Sequence, residues 1–137
     1  MHEYALAEGV VATALKAAAD EGLARITRIE VVIGQLQQIE SELFAFSLRE
    51  VLPAAEPRLT GVEFVLRSAP AIFTCRSCGT RFGLDQAAGG LGEDEGEAVH
   101  FLPELAHTFL SCPQCNSPDF EVTEGRGVWI ETVEGTT

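Results

Sequence analysis

Four cysteines set the chemistry open to this chain. They form two Cys-x-x-Cys pairs, TCRSCG over residues 74–79 and SCPQCN over residues 111–116. Two intervening residues let one tight turn aim both sulfurs of a pair at a single ion. Cys75 and Cys78 with Cys112 and Cys115 can therefore close a tetrahedron of thiolates around Zn(II), which has no geometric preference of its own and accepts sulfur readily. Gly79 and Asn116 follow the second cysteine of each pair, and these residue types most readily take the left-handed conformation such turns need. A redox Cys-x-x-Cys usually stands as a single pair, so the doubled pair favours a closed structural site over a thiol oxidoreductase. The long spacer between the pairs is no obstacle. Doubling a loop costs only about 0.6 kcal/mol, against roughly 10–16 kcal/mol for structural zinc binding.

Met1-His2-Glu3 is the second stretch with distinctive donors. A bulky second residue predicts that the initiator methionine is kept, with a free α-amine. That amine, the deprotonated amide nitrogen of His2 and its imidazole can wrap one ion in fused chelate rings, and the backbone amide of Glu3 can add a nitrogen. Such donors favour square-planar Ni(II) or Cu(II) over zinc. His100, in AVHFLPE, reads either as a packed histidine or, if the loop before it folds back on the N-terminus, as a further nickel ligand. His107, five residues before Cys112, reads as structural support near the zinc site. No serine sits in a nucleophile elbow. The glycine-rich AAGGLGEDEG (87–96) lacks the basic residue and strand context of a phosphate-cradling loop, so the chain does not read as an enzyme.

These groups need elements to hold them. Residues 4–20 predict a helix, with Leu6, Val10, Val11, Ala14, Leu15 and Ala18 on one apolar face and Gly22 as its C-terminal cap. ITRIEVVIG (26–34) alternates and is rich in β-branched residues, so it predicts a strand. A second helix is expected over 41–52, capped by Ser41, with Phe44, Leu48, Val51 and Leu52 as its stripe. A strand begins at residue 61 and is interrupted by Pro70. Residues 85–98 predict a mobile acidic loop. Residues 120–134 predict a hairpin turning at Glu124-Gly125, whose second arm, 128–133, returns to the first sheet before a frayed tail.

Composition narrows the functional classes. Hydrophobic residues make up 46% and charged residues 22%, which suits a globular domain carrying a small module. No apolar run approaches the roughly 20 residues that cross a bilayer, and no basic stretch leads into an apolar one at the start, which predicts a cytoplasmic protein without a membrane partner. The net charge is −12, and between Phe82 and Gly125 there are nine acids and no Lys or Arg. Nucleic acid would be repelled by that stretch. A metal ion or a basic protein surface would be attracted.

Met1-His2-Glu3, the helix after it, the strand ending VVIGQLQ (31–37), the aromatic-rich second helix and the pairs closing on SCPQC together resemble the HypA/HybF family of nickel metallochaperones for [NiFe]-hydrogenase maturation, from Met1 to about Val133. The resemblance implies an α+β fold: two helices packed on a small mixed β-sheet, with an inserted four-cysteine, zinc-ribbon-like domain. Residues 1–70 and 120–137 would form the nickel domain and 71–119 the zinc domain. It implies transient Ni(II) cargo at the N-terminus and His2, with Glu3 contributing structurally or through its amide, and structural Zn(II) on the cysteines. It implies a GTPase partner, HypB, the hydrogenase large subunit as client and, for some relatives, urease maturation. The long insertion before FLPELAHTFLSC is similar to the archaeal form and leaves open whether His100 joins the nickel site. The alternative reading is a zinc-ribbon adaptor that transfers no nickel.

Overall fold

Alanine and valine at helical spacing carry the first element of the chain, which a computed structural model describes over residues 3–137. The elements run α1 (Glu3–Asp20), β1 (Arg25–Gly34), α2 (Ser41–Phe46), β2 (Glu63–Ala69), β3 (Ile72–Cys75), β4 (Arg81–Gly83), β5 (Ala88–Gly89), α3 (Glu93–Phe101), α4 (Ala106–Phe109), β6 (Leu110–Ser111), β7 (Phe120–Glu124) and β8 (Val128–Thr136). Three small sheets form, in the orders β2-β1-β8, β4-β3-β7 and β5-β6. The chain divides into two compact units. One comprises the residues up to Val32 with Ile39–Arg67 and Val128–Thr137; the other comprises Ile33–Gln38 and Ser68–Gly127.

In the first unit α1 buries Ala7, Val10, Val11, Ala14 and Ala18 and packs against α2 and β8. It ends as the glycine predicts. Leu23 N donates to Ala18 O at 2.8 Å and Gly22 N to Ala19 O at 3.1 Å, with Gly22 at φ +72°. Ala24 N donates to Thr136 O and the Thr27 hydroxyl to Glu134 O, so β1 and β8 run antiparallel. Ile26, Ile29, Val31 and Val32 of β1 are buried, as are Phe44, Leu48, Leu59 and Phe64.

The second helix departs from the expected 41–52. Glu40 rather than Ser41 occupies its N-cap, and after Phe46 the winding loosens to a π-turn over Ser47–Val51. Leu52 N donates to Ser47 O, five residues back, and the Ser47 hydroxyl donates to Leu43 O at 3.0 Å. A π-turn rotates later residues off the helical stripe. Val51, expected in the core, is accordingly exposed.

The second unit is built on phenylalanine. β3 pairs antiparallel with β4, setting Phe73 opposite Phe82, and with β7, setting Cys75 opposite Phe120. The rings of Phe73, Phe82 and Phe120 lie 5.0–5.8 Å apart, tilted or edge-on, arrangements their quadrupoles favour. Leu36, Val99, Ala106 and Leu110 complete this core. Residues 35–37 are hooked in by their amides: Gln35 Oε1 accepts Ala71 N, Gln37 Oε1 accepts Gly127 N, and Leu36 N donates to Gly125 O.

Several expectations are corrected. The acidic stretch 85–98 is not a loop throughout, because α3 begins at Glu93. Glu93, Asp94 and Glu95 fall in its first turn, where negative charge is stabilised by the helix dipole. Residues 120–134 are not a hairpin. β7 pairs with β3 and β8 lies beside β1, with Gly125 and Gly127 at φ +83° and +89° between them. The tail continues as strand to Thr136. Residues 33–38 and 120–127 group with the cysteines, whereas the sequence places them in the other domain.

Gly125 has two reasons to be glycine. Its φ is positive, and a Cβ there would stand 2.4 Å from Ala71 Cα. Gly125→Ala is expected to destabilise the protein by more than about 1 kcal/mol. Gly90→Ala, where a Cβ meets nothing within 4 Å, is expected to stay within about 0.5 kcal/mol. Denaturant midpoints of the two variants make the comparison.

Candidate metal centres

Cys75 is the last residue of β3, and Cys112 follows β6. Each opens a turn of the same construction. Cys75 O accepts Gly79 N and Cys112 O accepts Asn116 N, both at 2.9 Å. Cys75 N donates to Thr80 O and Cys112 N to Ser117 O, again both at 2.9 Å. Gly79 and Asn116 take φ +77° and +62°, the left-handed turn expected of those residue types. Gln114 N points at Cys112 Sγ from 3.4 Å, as suits a thiolate acceptor.

The two turns bring all four sulfurs within 4.8 Å of one another. Cys75 Sγ lies 3.5 Å from Cys115 Sγ, and Cys78 Sγ 3.7 Å from Cys112 Sγ. A disulfide would need about 2.05 Å, and all four cysteines are free. A zinc ion with Zn–S bonds near 2.3 Å requires sulfurs about 3.8 Å apart along each tetrahedral edge. The set therefore fits Zn(II) with no open position, which is the pattern of a structural site. Cys75 and Cys112 are buried beneath it, and Cys78 and Cys115 face solvent.

Crowding four thiols separates their ionisation. The Thr80 hydroxyl, 3.1 Å from Cys78 Sγ, and the Thr80 amide lower the Cys78 pKa to about 6. Hydrogen bonding from the Cys78 amide likewise lowers that of Cys75. The Ser117 amide lowers the Cys115 pKa, but the neighbouring Cys75 sulfur, burial and the other two sulfurs outweigh it and push Cys115 up to about 12. Without a cation the cluster thus keeps a proton at neutral pH, and a divalent ion must displace it. Thr80 was not singled out from the sequence. A signal was present: TCRSCGT and SCPQCNS repeat one hydroxyl–Cys–x–x–Cys–turn–hydroxyl pattern.

His107 packs behind the second turn. Its ring stacks on Phe120 with centroids 4.2 Å apart, and Nδ1 donates to Pro118 O at 3.0 Å. His100 sits in the last turn of α3, buried at 7% exposure, with Nδ1 donating to Gln37 O at 2.8 Å. A carbonyl can only accept, so Nδ1 carries the hydrogen of that bond and Nε2 is the ring atom that could ligate a metal.

Met1 and His2, the proposed amine and imidazole donors, lie outside the described residues. Glu3 lies inside them, as the first residue of α1. Its carboxylate is buried at 2% exposure and accepts the Glu40 amide at 3.2 Å. Burial raises the Glu3 pKa, but hydrogen bonds at the carboxylate, that of Glu40 among them, outweigh it and hold the group below its ordinary value. The sequence assigned Glu3 a structural role or a nitrogen from its backbone amide. Nothing in it signalled that the side chain would tie α1 to the beginning of α2.

A profile of the family described as hydrogenase/urease nickel incorporation, metallochaperone, HypA matches residues 1–135. Two proteins named hydrogenase maturation factor HypA, from Thermococcus onnurineus and Pyrococcus abyssi, are 42% and 41% identical to this chain over 134 residues, 98% of it and 95% of each relative. The fold is similar to the solution structure of the Ni metallochaperone HypA from Helicobacter pylori, with a TM-score of 0.63 at 18% identity, covering 99% of this chain and 98% of that one.

Zinc loading near neutral pH is expected to release fewer than four protons, because Cys78 is already ionised and Cys115 is not. Calorimetry in buffers of different ionisation enthalpy counts them. Thr80→Val removes the hydroxyl, so the Cys78 pKa should climb from about 6 towards the ordinary 9.0, read from thiolate absorbance of the metal-free protein. An unchanged titration would remove Thr80 from that role.

Proposed function

The chain belongs to the HypA family, and we propose that it carries Ni(II) on Met1-His2-Glu3 and hands it over for [NiFe]-hydrogenase maturation. The observation that carries this reading is the position of the motif: it ends on the first residue of α1, whose carboxylate is buried and hydrogen-bonded. The buried, hydrogen-bonded carboxylate fixes Glu3, the last residue of the motif, at the start of α1. The α-amine of Met1, the amide and imidazole of His2 and the amide of Glu3 offer nitrogen donors of the kind Ni(II) takes in a square plane.

The two metals have opposite tasks. Four thiolates leave no position for an incoming ligand, so zinc stays and holds the second unit together. A nitrogen site with few protein ligands can exchange them one at a time with an acceptor, which suits a cargo. HypB, as GTPase partner, and the hydrogenase large subunit are the proposed recipients, with urease maturation a second destination, all in the cytoplasm. The chain turns nothing over in this scheme. Only neutral imidazole ligates, so nickel affinity should fall as pH drops through the histidine range, near 6.5.

Nickel binding to the untagged protein should show a square-planar absorption band. One glycine added before Met1, or His2→Ala, should abolish that band and weaken binding roughly a hundredfold or more, since even indirect support of a ligand is worth 10–100-fold. Zinc content and thermal midpoint should not move. Wild-type affinity in both variants would place the site elsewhere and favour the zinc-adaptor reading. His100→Ala tests the further ligand: a changed spectrum with zinc retained would add Nε2 to the set.

A further inference from the structure

We propose that the outer face of α2 and of the π-turn after it docks an amphipathic helix of a partner protein, apolar along one face and basic at its margins. Leu43 and Phe46 stand one helical turn apart, and both are exposed, at 43% and 56%. Phe44 and Leu48, on the other side, are fully buried. In a regular helix Val51 would follow Phe44 and Leu48 inward. The π-turn over Ser47–Val51 widens the repeat by one residue, and Val51 comes out to solvent at 38% exposure. The irregularity thus extends a surface stripe of Leu43, Phe46 and Val51 at the cost of a core valine. Turns of this kind recur at functional sites.

The charges on the same segment give the occupant its sign. Glu40, Glu42 and Glu50 are exposed, and none of their side chains has an ion-pair or hydrogen-bond partner among the described residues. The unit has no spare base to offer them. Every Lys and Arg in it is already held by a carboxylate or a carbonyl. Arg49, inside the π-turn, donates to Phe64 O at 2.9 Å, so the one base of this segment is turned to the unit's own backbone. An apolar stripe bordered by three unmatched acids is left facing solvent.

A second copy of this chain would set these acids against themselves, on a protein of net charge −12. A helix with lysine or arginine along the borders of an apolar face meets both features. Its apolar ridge packs between Leu43, Phe46 and Val51, and its cations meet Glu40, Glu42 and Glu50 at the rim. Phe46, the most exposed of the three apolar side chains, is the anchor. The rim charges select the partner and orient its approach. None of these side chains belongs to either metal centre, so this inference stands apart from the nickel reading.

The zinc-loaded full chain would be titrated with a fluorescently labelled, blocked peptide of leucine and lysine, about eighteen residues long and patterned as an amphipathic helix. The same peptide with glutamate for lysine is the control. The expected result is saturable binding of the basic peptide alone, weaker at high salt, with NMR shifts centred on Leu43, Phe46 and Val51. Phe46→Ala should weaken binding about tenfold, and Glu42→Lys combined with Glu50→Lys should weaken it to a similar degree. Glu93→Lys combined with Glu97→Lys, an equal charge reversal at exposed positions of α3, should leave affinity unchanged, and every variant should keep its zinc. Absence of binding, an α3 reversal as damaging as the α2 one, or wild-type affinity in Phe46→Ala would overturn the proposal. So would a concentration-dependent dimer lost in Phe46→Ala, which would give the face to a second copy.

Discussion

Convergence of four sulfurs on one point is the constraint from which most of the second unit follows. Cys75 ends β3 and Cys112 follows β6, so the two turns can meet only if chain segments far apart in sequence are brought together. The pairing of β3 with β4 and β7 does this, and the Phe73, Phe82 and Phe120 rings fill the space beneath. Arg76 adds a link between the turns, its amide and guanidinium reaching the carbonyl and carboxylate of Asp119. The sheet is small and the core is mainly aromatic, so a metal on the four sulfurs would supply much of what a larger hydrophobic core otherwise provides.

The cysteine centre was legible because its rule is local. Two residues between cysteines and a left-handed residue after them can be read within a few positions, and the structure repeats that unit twice with matching hydrogen bonds. α1, its glycine cap and β1 were legible for the same reason: period and cap lie within a few residues of one another. The expected α+β fold with small sheets is what the structure shows.

What escaped was non-local or ambiguous in type. Glycine and acid in GGLGEDEGEA argue for a loop by composition, yet the same acids suit the first turn of a helix, and α3 forms. Glu124-Gly125 reads as a hairpin turn, but the partner of Phe120–Glu124 is β3, some fifty residues earlier, which no local pattern announces. The loosening at Ser47 comes from a hydroxyl folding back on Leu43 O, a choice serine makes in only some helices. The amide hooks of Gln35 and Gln37 depend on backbone groups at Ala71 and Gly127, so QLQQ could be read only as the end of a strand.

The discontinuity of the two units fixes an order of assembly during synthesis. β1 emerges early and stays bare on one side until its neighbour β8, at the far end of the chain, is made. The cysteine unit closes at Gly127, just before that strand begins. A growing chain therefore has every residue of the cysteine unit in hand before the other sheet can be finished.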